Sequence, residues 1–292
     1  MSSPLVSLLM TAYNREKYIG EAIESVLASS YSNFELIIVD DKSEDNTVSI
    51  AMKYAEKDSR IKVYVNEINL GDYDNRNRAA FYAKGKYLKY LDADDIIYPW
   101  GLGVMVGYME KFSNAGFGLS FSIIDDILPY PRLLSSTETL RSEYLDISYL
   151  GVGPSASIIK KSAFEQVGGF SGKQFIGDTE LWLKLAAQFS LVLMNPSLNW
   201  WRQHPGQQIK QEVMNLEIPV KRLHLSLHHL EYNKHLFTKK EFRLAQIKRK
   251  QHFGRSILKM LFTTGNFRKF YYLFIKSNID FISLLRGFSK YK

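Results

Sequence analysis

The stretch "PLVSLLMTAYNREKYIGEAIESVLASSYSNFELIIVDD", residues 4–41, decides how this chain folds. It opens on "LVSLLMTA" (Leu5 to Ala12), an apolar run of strand length. In "YIGEAIESVLAS" that follows, Ile19, Ala22, Ile23, Val26 and Leu27 recur at helical spacing. "FELIIVD" (Phe34 to Asp40) is a second strand, too uniformly apolar to leave one face in water. Two buried strands around an amphipathic helix make a parallel β-α-β unit. The alternation continues outward. Asp45 can cap a helix through "NTVSIAMKYAEK", and "IKVYVN" reads as a third strand. A helix is expected over about Asp74–Lys84, with Gly85 as its C-terminal stop, and "KYLKYLD" is a fourth strand. The fold class is α/β, with a mostly parallel central sheet and helices on both faces.

Beyond this region the pattern predicts a helix and a short strand over Pro99–Ser122 and a variable loop over residues 123–150. "SASIIKKSAFEQVGGF" (Ser155 to Phe170) reads as a strand, a short helix and a Gly-Gly turn. "DTELWLKLAAQF" (Asp178 to Phe189) is helical, and "LVLMNPSLNWWRQH" holds two short strands around Asn195-Pro196. After His204-Pro205-Gly206 the composition changes. Residues 210–292 have almost no Gly or Pro and many basic residues, and read as two or three helices.

The 292 residues are 46% hydrophobic, enough for one large domain and an appendage. With no cysteine, disulfides, thiolate metal sites and cysteine nucleophiles are excluded. "MSSPLVSLLMTAYN" has no basic n-region and does not read as a signal peptide, and no apolar stretch is long enough to span a bilayer. A cytoplasmic location follows as an expectation. The net charge of +8 is unevenly spread. Residues 1–204 hold 20 Lys and Arg against 25 Asp and Glu, a net −5; residues 205–292 hold 18 against 5, a net +13. A basic tail points to an anionic partner.

Parallel sheets bind ligands at the carboxyl ends of their strands. Three polar clusters fall there: "TAYN" (Thr11 to Asn14), Asp40-Asp41, and "DADD" (Asp92 to Asp95). On an extended chain Asp92 and Asp94 would point the same way, with small Ala93 leaving room for a ligand. Paired hard oxygen donors without His or Cys favour Mg²⁺ or Mn²⁺, usually shared with substrate phosphates. The alternative is a polar loop with acidic caps. Asp41 reads equally as a turn residue or as an acceptor for a nucleobase N–H. Tyr13 is a core ring or a face for a base, and Arg76 and Arg78 are solvated groups or phosphate ligands. Asp178 stands at the expected N-cap of its helix, where capping alone explains it.

"PLVSLLMTAYNREKYIGEAIESVLASSYSNFELIIVDDKSEDNT", "NLGDYDNRNRAAFYAKGKYLKYLDADD", "VGGF", "GDTELWLKLA" and "WRQHPGQ", in this order, resemble the family 2 glycosyltransferases. The resemblance covers Pro4 to Gln208 and implies the Rossmann-like GT-A fold. It implies a catalytic domain over 1–208, with a nucleotide-sugar half to about 98 and an acceptor half from about 99, and a basic helical extension over 209–292. It also assigns roles. Thr11, Tyr13 and Asp41 match positions that hold nucleobase and ribose. Arg76 matches an arginine near base and phosphates. Asp92 and Asp94 match the DxD motif, the first at the ribose or metal and the last on the metal. Asp178 matches the proposed general base, and His204 the "RxH" histidine near the diphosphate.

Three positions depart from the family pattern: Gly177 stands where a Glu is usual, with Glu180 as a substitute candidate, Asn75 replaces an Ala, and Lys42 replaces a small residue. The resemblance implies an inverting, metal-assisted transfer from a nucleoside-diphosphate sugar, by preference a UDP-sugar, to a glycan, glycolipid or other hydroxyl. A degenerate sugar-nucleotide-binding scaffold and a nucleotidyltransferase are the rival readings. The latter commonly has a Gly-rich loop after the first strand, which "TAYNREKYIG" lacks. The basic tail either packs on the catalytic domain or a second copy, giving a homo-oligomer, or lies on anionic lipid at the inner face of the membrane. Nucleic acid is disfavoured because no recognition motif accompanies the charge.

Overall fold

The computed structural model describes residues 3–121, 128–204 and 217–286. Its contacts form two compact units: Met1–Thr139 with Tyr149–Gln203, and Leu140–Ser148 with His204–Lys292. The expected boundary at 208 lies outside the described residues.

The first unit is built on an eight-stranded sheet in the order β3-β2-β1-β4-β8-β6-β9-β7. The strands are β1 (Val6–Ala12), β2 (Phe34–Asp40), β3 (Ile61–Val65), β4 (Tyr87–Tyr90), β6 (Ala115–Ser120), β7 (Arg132–Leu134), β8 (Ser157–Lys160) and β9 (Ser190–Met194). Strands β3, β2, β1 and β4 run parallel, as the alternating pattern predicts. Strand β8 runs against both β4 and β6, and β7 against β9. A second ladder pairs β5 (Ile96–Ile97) with β10 (Asn199–Trp200), antiparallel.

Helices α1 (Ile19–Leu27), α2 (Thr47–Ala55) and α3 (Asp72–Tyr82) connect the parallel strands. Later come α4 (Gly101–Lys111), α5 (Ser136–Leu145), α6 (Lys161–Gln166) and α7 (Gly177–Gln188). In α1 the residues at helical spacing, Ile19, Ala22, Ile23 and Val26, are buried against Leu8, Met10, Leu36 and Ile38 of the sheet's core. Each such side chain contributes roughly 1.5–3 kcal/mol by leaving water.

Four expectations need correction. Helix α3 begins two residues earlier than expected and ends at Tyr82. Gly85 does not stop it. A Cβ there would stand 2.6 Å from Ser7 N and 2.8 Å from Leu5 O, so close approach of the backbone to β1 is what requires glycine. Residues 123–150 are not a loop throughout, since β7 and α5 form within them, while 122–127 lie outside the described residues. Asp178 is not an N-cap: Ile176 holds that place and Asp178 is the second residue of α7.

The second unit contains four described helices: α8 (Ile218–Tyr232), α9 (Lys239–Thr264), α10 (Phe267–Ser277) and α11 (Phe281–Arg286). The expectation was two or three. Local signals explain the breaks. Thr238 and Glu241 form a capping box at the start of α9, and Gly265, at φ 65°, ends it in the left-handed conformation. Asn266 caps α10 and Asn278, at φ 53°, ends it. Val220, Leu223, Phe253, Ile257, Leu258, Leu273 and Leu284 form the core. Residues 140–148 join this unit through Arg141–Glu241 and Arg249–Glu143 ion pairs of 3.1 and 2.7 Å and a bond from Tyr144 Oη to Ser226 O.

Candidate active site

The carboxyl ends of β1, β2 and β4 bring "TAYN", Asp40-Asp41 and "DADD" to one edge of the sheet. The first two loops are laced together. Asn14 N donates to Ser43 Oγ and Glu44 N to Asn14 Oδ1, while Arg15 N donates to Thr47 Oγ1 at 2.7 Å. Glu16 N donates to Asp45 Oδ2, and Asp45 Oδ1 takes the first amide of α2 from Thr47. The capping role expected of Asp45 is thus filled from one position before Asn46, the N-cap. Thr11 is half-buried near the end of β1, and Tyr13 is 45% exposed just past it, which removes the reading of Tyr13 as a core ring.

Asp41 is buried and heavily bonded. Its carboxylate accepts from Leu70 N, Gly71 N and Asn66 Nδ2 at 2.8, 2.9 and 2.8 Å. Asn66 also donates to Asn75 Oδ1, and Asn75 Nδ2 donates to Val39 O. The amide at position 75, where the resemblance expects Ala, therefore ties α3 to the end of β2. Neighbouring Asp40 is raised by burial, although Ser43 donates to it through both N and Oγ.

The four residues Asp92 to Asp95 do not continue β4. The strand ends at Tyr90, and Asp95 N closes a turn onto Asp92 O at 2.9 Å. The convergence of carboxylates comes from this turn and not from the alternation of a strand, and it recruits Asp95 as well. Oxygens of Asp92, Asp94 and Asp95 all lie within 4.8 Å of one another. Ala93 leaves no room for a ligand; it is buried in the hydrophobic core.

Three arginines contact this cluster, two of them through a side chain on a carboxylate. Arg76 Nη2 lies 2.7 Å from Asp92 Oδ1, and its Nε donates to Asp72 at 2.9 Å. Arg15 Nε donates to Asp94 Oδ2 at 2.9 Å. Arg202 gives its backbone N–H to Asp95 Oδ1 at 3.1 Å and its Nε to Asp94 O at 2.9 Å. Its guanidinium lies over the rings of Trp200 and Tyr18 and bonds Glu21. Arg76 is buried, whereas Arg78 is exposed. Burial opposes the charge of Arg76, but Asp72 and Asp92 outweigh it and hold the guanidinium firmly protonated.

The pairing is incomplete. Arg76 Nη1 and Asp95 Oδ2 are buried without a well-aligned hydrogen-bond partner among the described residues, although the Ser155 hydroxyl lies close enough to the Asp95 carboxyl to lower it. The contact of Asp92 Oδ1 with Arg76 is close as an ion pair but poorly aligned as a hydrogen bond. A buried guanidinium N–H and a buried carboxylate oxygen left over in one cluster suit a guest with both a cation and an anion. The donor set, carboxylates alone, suits a hard divalent cation. Asp95 is pushed up to about 7, first by burial and then by the charge of Asp92. Lys89, fully buried in β4, donates to the carbonyls of Tyr90 and Ser155 and is lowered by burial to about 7.

Helix α3 links this cluster to Asp178. Asp72 pairs with Arg76, and the next residue, Tyr73, donates its hydroxyl to Asp178 Oδ1 at 3.3 Å. Burial and the charge of Asp178 keep the Tyr73 phenol protonated far above neutral pH, so it remains a donor. The Tyr73 ring also explains Gly177. A Cβ there would stand 2.7 Å from the ring, which takes the space a Glu side chain would need. Glu180 does not replace that Glu. It is buried and bonded to Ser171 and to Lys173 at 2.7 Å, and two positions along a helix put it on another face from Asp178. Asn77 anchors the Gly-Gly turn near this helix, exchanging two hydrogen bonds with the backbone of Phe170.

The structure thus brings Asp92, Asp94, Arg76 and, through Tyr73, Asp178 into one network, beside Thr11, Tyr13 and Asp41. His204 is half-buried at the end of its described segment and falls with the second unit. The sequence reading missed Arg15, Asp72, Tyr73 and Lys89, none of which carries a local signal, and it included Asp95 only as a member of "DADD".

Comparison with known proteins gives the family and the fold. The model of glycosyl transferase family 2 matches residues 7–168, more than half of the chain. The chain belongs to that family. It is 40% identical over 117 residues to the Escherichia coli UDP-Glc:alpha-D-GlcNAc-diphosphoundecaprenol beta-1,3-glucosyltransferase WfgD, a match covering 40% of this chain and 45% of the relative. Matches to curated relatives span from 33% to 74% of their length, and less than two thirds of the length of WfgD. Among solved structures, Staphylococcus aureus TarS 1–349 in complex with UDP-GlcNAc superposes with a TM-score of 0.64 at 18% identity, over 93% of this chain and 88% of that one. The Pyrobaculum calidifontis mannosyltransferase PcManGT, in complex with GDP-Man and Mn2+, gives 0.60 at 14% identity, over 98% and 86%. These structural likenesses establish the fold.

Proposed function

We propose that this chain transfers a sugar from a nucleoside-diphosphate sugar, by preference a UDP-sugar, to a hydroxyl of a glycan or lipid-linked acceptor, with inversion. The observation that carries the reading is the pair of leftover buried groups, Arg76 Nη1 and Asp95 Oδ2, within a cluster of three carboxylates. A cluster that answered only its own charge would leave neither. Asp94 and Asp92 would hold a divalent cation, Mn²⁺ or Mg²⁺, which supplies Lewis-acid charge to the leaving diphosphate.

The remaining steps belong to the chain's own side chains. Arg76 presents a fixed, protonated guanidinium to phosphate. Thr11 and Tyr13 offer a polar edge and a ring face to the nucleoside, with Asp41 beside them. Asp178, oriented by Tyr73, accepts the proton of the acceptor hydroxyl as that oxygen attacks the anomeric carbon. The C–O bond to the new acceptor forms as the bond to the diphosphate breaks, and one displacement inverts the centre.

Among the described residues, no helix is long and apolar enough to cross a membrane. The second unit suits a peripheral role at the inner face of the cell membrane. Phe267, Tyr271 and Ile275 form an exposed stripe at four-residue spacing on α10, in a basic region. The test of the reading is release of nucleoside diphosphate from a panel of nucleotide sugars, with Mn²⁺, Mg²⁺ or EDTA. Release with one donor, lost in EDTA, is expected. Metal-independent cleavage would remove the assigned role of the carboxylates, and binding without turnover of any donor, with or without acceptor, would favour a scaffold.

A further inference from the structure

Arg15 holds one of the oxygens that the metal reading needs. Its backbone N donates to Thr47 Oγ1, so the start of the side chain is fixed by the lacing between the first two loops. Nη1 donates to the carbonyls of Tyr13 and Asn14 at 3.0 and 3.2 Å. Asn14 reaches this arrangement in the left-handed conformation, at φ 53°. Nε then meets Asp94 Oδ2 at 2.9 Å, with the Arg15 side chain 25% exposed. The guanidinium therefore bridges the end of β1 to the turn after β4.

A divalent cation taken up by Asp94 would face this guanidinium across a single carboxylate. Two cations at that range repel, and a partly exposed site screens them only in part. The repulsion is relieved when a diphosphate brings its own negative charge between them.

We propose that Arg15 is the resident counter-ion of Asp94: it competes with the divalent cation for that carboxylate, and the donor's diphosphate takes over its charge when the two bind together. The inference rests on the metal-diphosphate reading above. It makes cation and nucleotide binding cooperative, because each removes an obstacle to the other, and the coupling is reciprocal. Arg15 is then a binding residue for the donor, and its length and fork suit phosphate as well as carboxylate.

The test is the binding of Mn²⁺ alone, read by loss of the free-ion electron paramagnetic resonance signal. Wild type, Arg15→Gln, Arg15→Lys and Asp94→Asn are compared, with circular dichroism to confirm folding. Arg15→Gln is expected to bind Mn²⁺ alone about tenfold more tightly, since a repelling charge is gone. Arg15→Lys keeps the charge and should return to wild-type affinity; it also serves if the Gln variant does not fold. With Mn²⁺ present, UDP and GDP, which share the diphosphate, are titrated in turn. The nucleotide that binds wild type should bind Arg15→Gln about tenfold more weakly. Unchanged or weaker Mn²⁺ binding in Arg15→Gln overturns the proposal while leaving the metal site intact. If Asp94→Asn does not alter Mn²⁺ binding, or no variant binds Mn²⁺ or a metal nucleotide, the metal reading fails and this inference falls with it.

Discussion

The turn at Asp92–Asp95 and the helices α9 to α11 both concentrate charge of one sign, and the chain treats them differently. In the turn, two carboxylates have an arginine side chain as partner, Arg76 for Asp92 and Arg15 for Asp94, and Asp95 accepts the backbone N–H of Arg202. The partners are held by other bonds, and Asp94 and Asp95 are buried while Asp92 and Arg15 stay partly exposed. In residues 205–292, 18 Lys and Arg face only 5 Asp and Glu, so pairing within the segment cannot neutralise it. Apolar side chains stand exposed among these cations, including Phe262, Phe267, Tyr271 and Phe281. Buried charge that is almost answered defines a small, specific guest. Exposed charge that is left unanswered suits a broad anionic surface.

The largest expected effect tests the first half of this contrast. Asp94→Asn should lower metal-dependent donor turnover by at least about a hundredfold, a loss of the order seen when a key electrostatic stabiliser is removed. The fold should survive, because Arg15 is partly exposed. A drop of less than a few-fold in steady-state release would break the comparison at its strongest point.

Asp178→Asn should cost about 10²–10⁴-fold in transfer to acceptor, the usual worth of a positioned base. Nucleotide affinity should stay within a few-fold of wild type. Tyr73→Phe, which removes only the hydroxyl on Asp178, should cost less in turnover and leave the ring packed against Gly177. Equal losses of nucleotide affinity in both variants would instead mark a general collapse of α3.

Asp95 sharpens the contrast through pH. Its carboxyl is raised to about 7 in the folded chain, above the ordinary value of about 4 in the unfolded one. Between those values the folded state binds the extra proton, so this group's contribution to stability falls as pH rises from about 4 to 7. Asp95→Asn keeps an oxygen for Arg202 N and removes the charge. In EDTA, the variant should gain stability over wild type as pH rises through that window, by up to about 4 kcal/mol at pH 8. A difference that does not vary with pH would mean the carboxyl is not strained by its neighbours.

The smallest effect on chemistry belongs to the second unit. Replacing Phe267, Tyr271 and Ile275 together by Ser should leave turnover of a soluble donor unchanged and abolish co-sedimentation with vesicles rich in anionic phosphatidylglycerol. Retained sedimentation would remove the membrane role of that stripe.

Most of the parallel half of the sheet was legible in the sequence because strands that are buried on both faces are apolar throughout, as "FELIIVD" is. The site was legible only as a list of strand ends. What hid the rest is that its decisive pairings are non-local: Arg15 with Asp94, and Tyr73 with Asp178, are 79 and 105 residues apart. The error at Gly85 has a similar source, since the need for glycine there is set by β1, which no local pattern around residue 85 contains. Helix α5 was missed because much of its partner surface lies some hundred residues later, in Glu241, Lys248 and Arg249.

The central claim is that the three carboxylates and Arg76 hold a metal diphosphate. Equilibrium binding of UDP and GDP tests it most directly, measured by calorimetry with Mn²⁺ and with EDTA, in wild type and Asp94→Asn. The account predicts binding of one nucleotide that depends on Mn²⁺ in wild type and is lost in Asp94→Asn. Equally tight binding in EDTA and in the variant would contradict it.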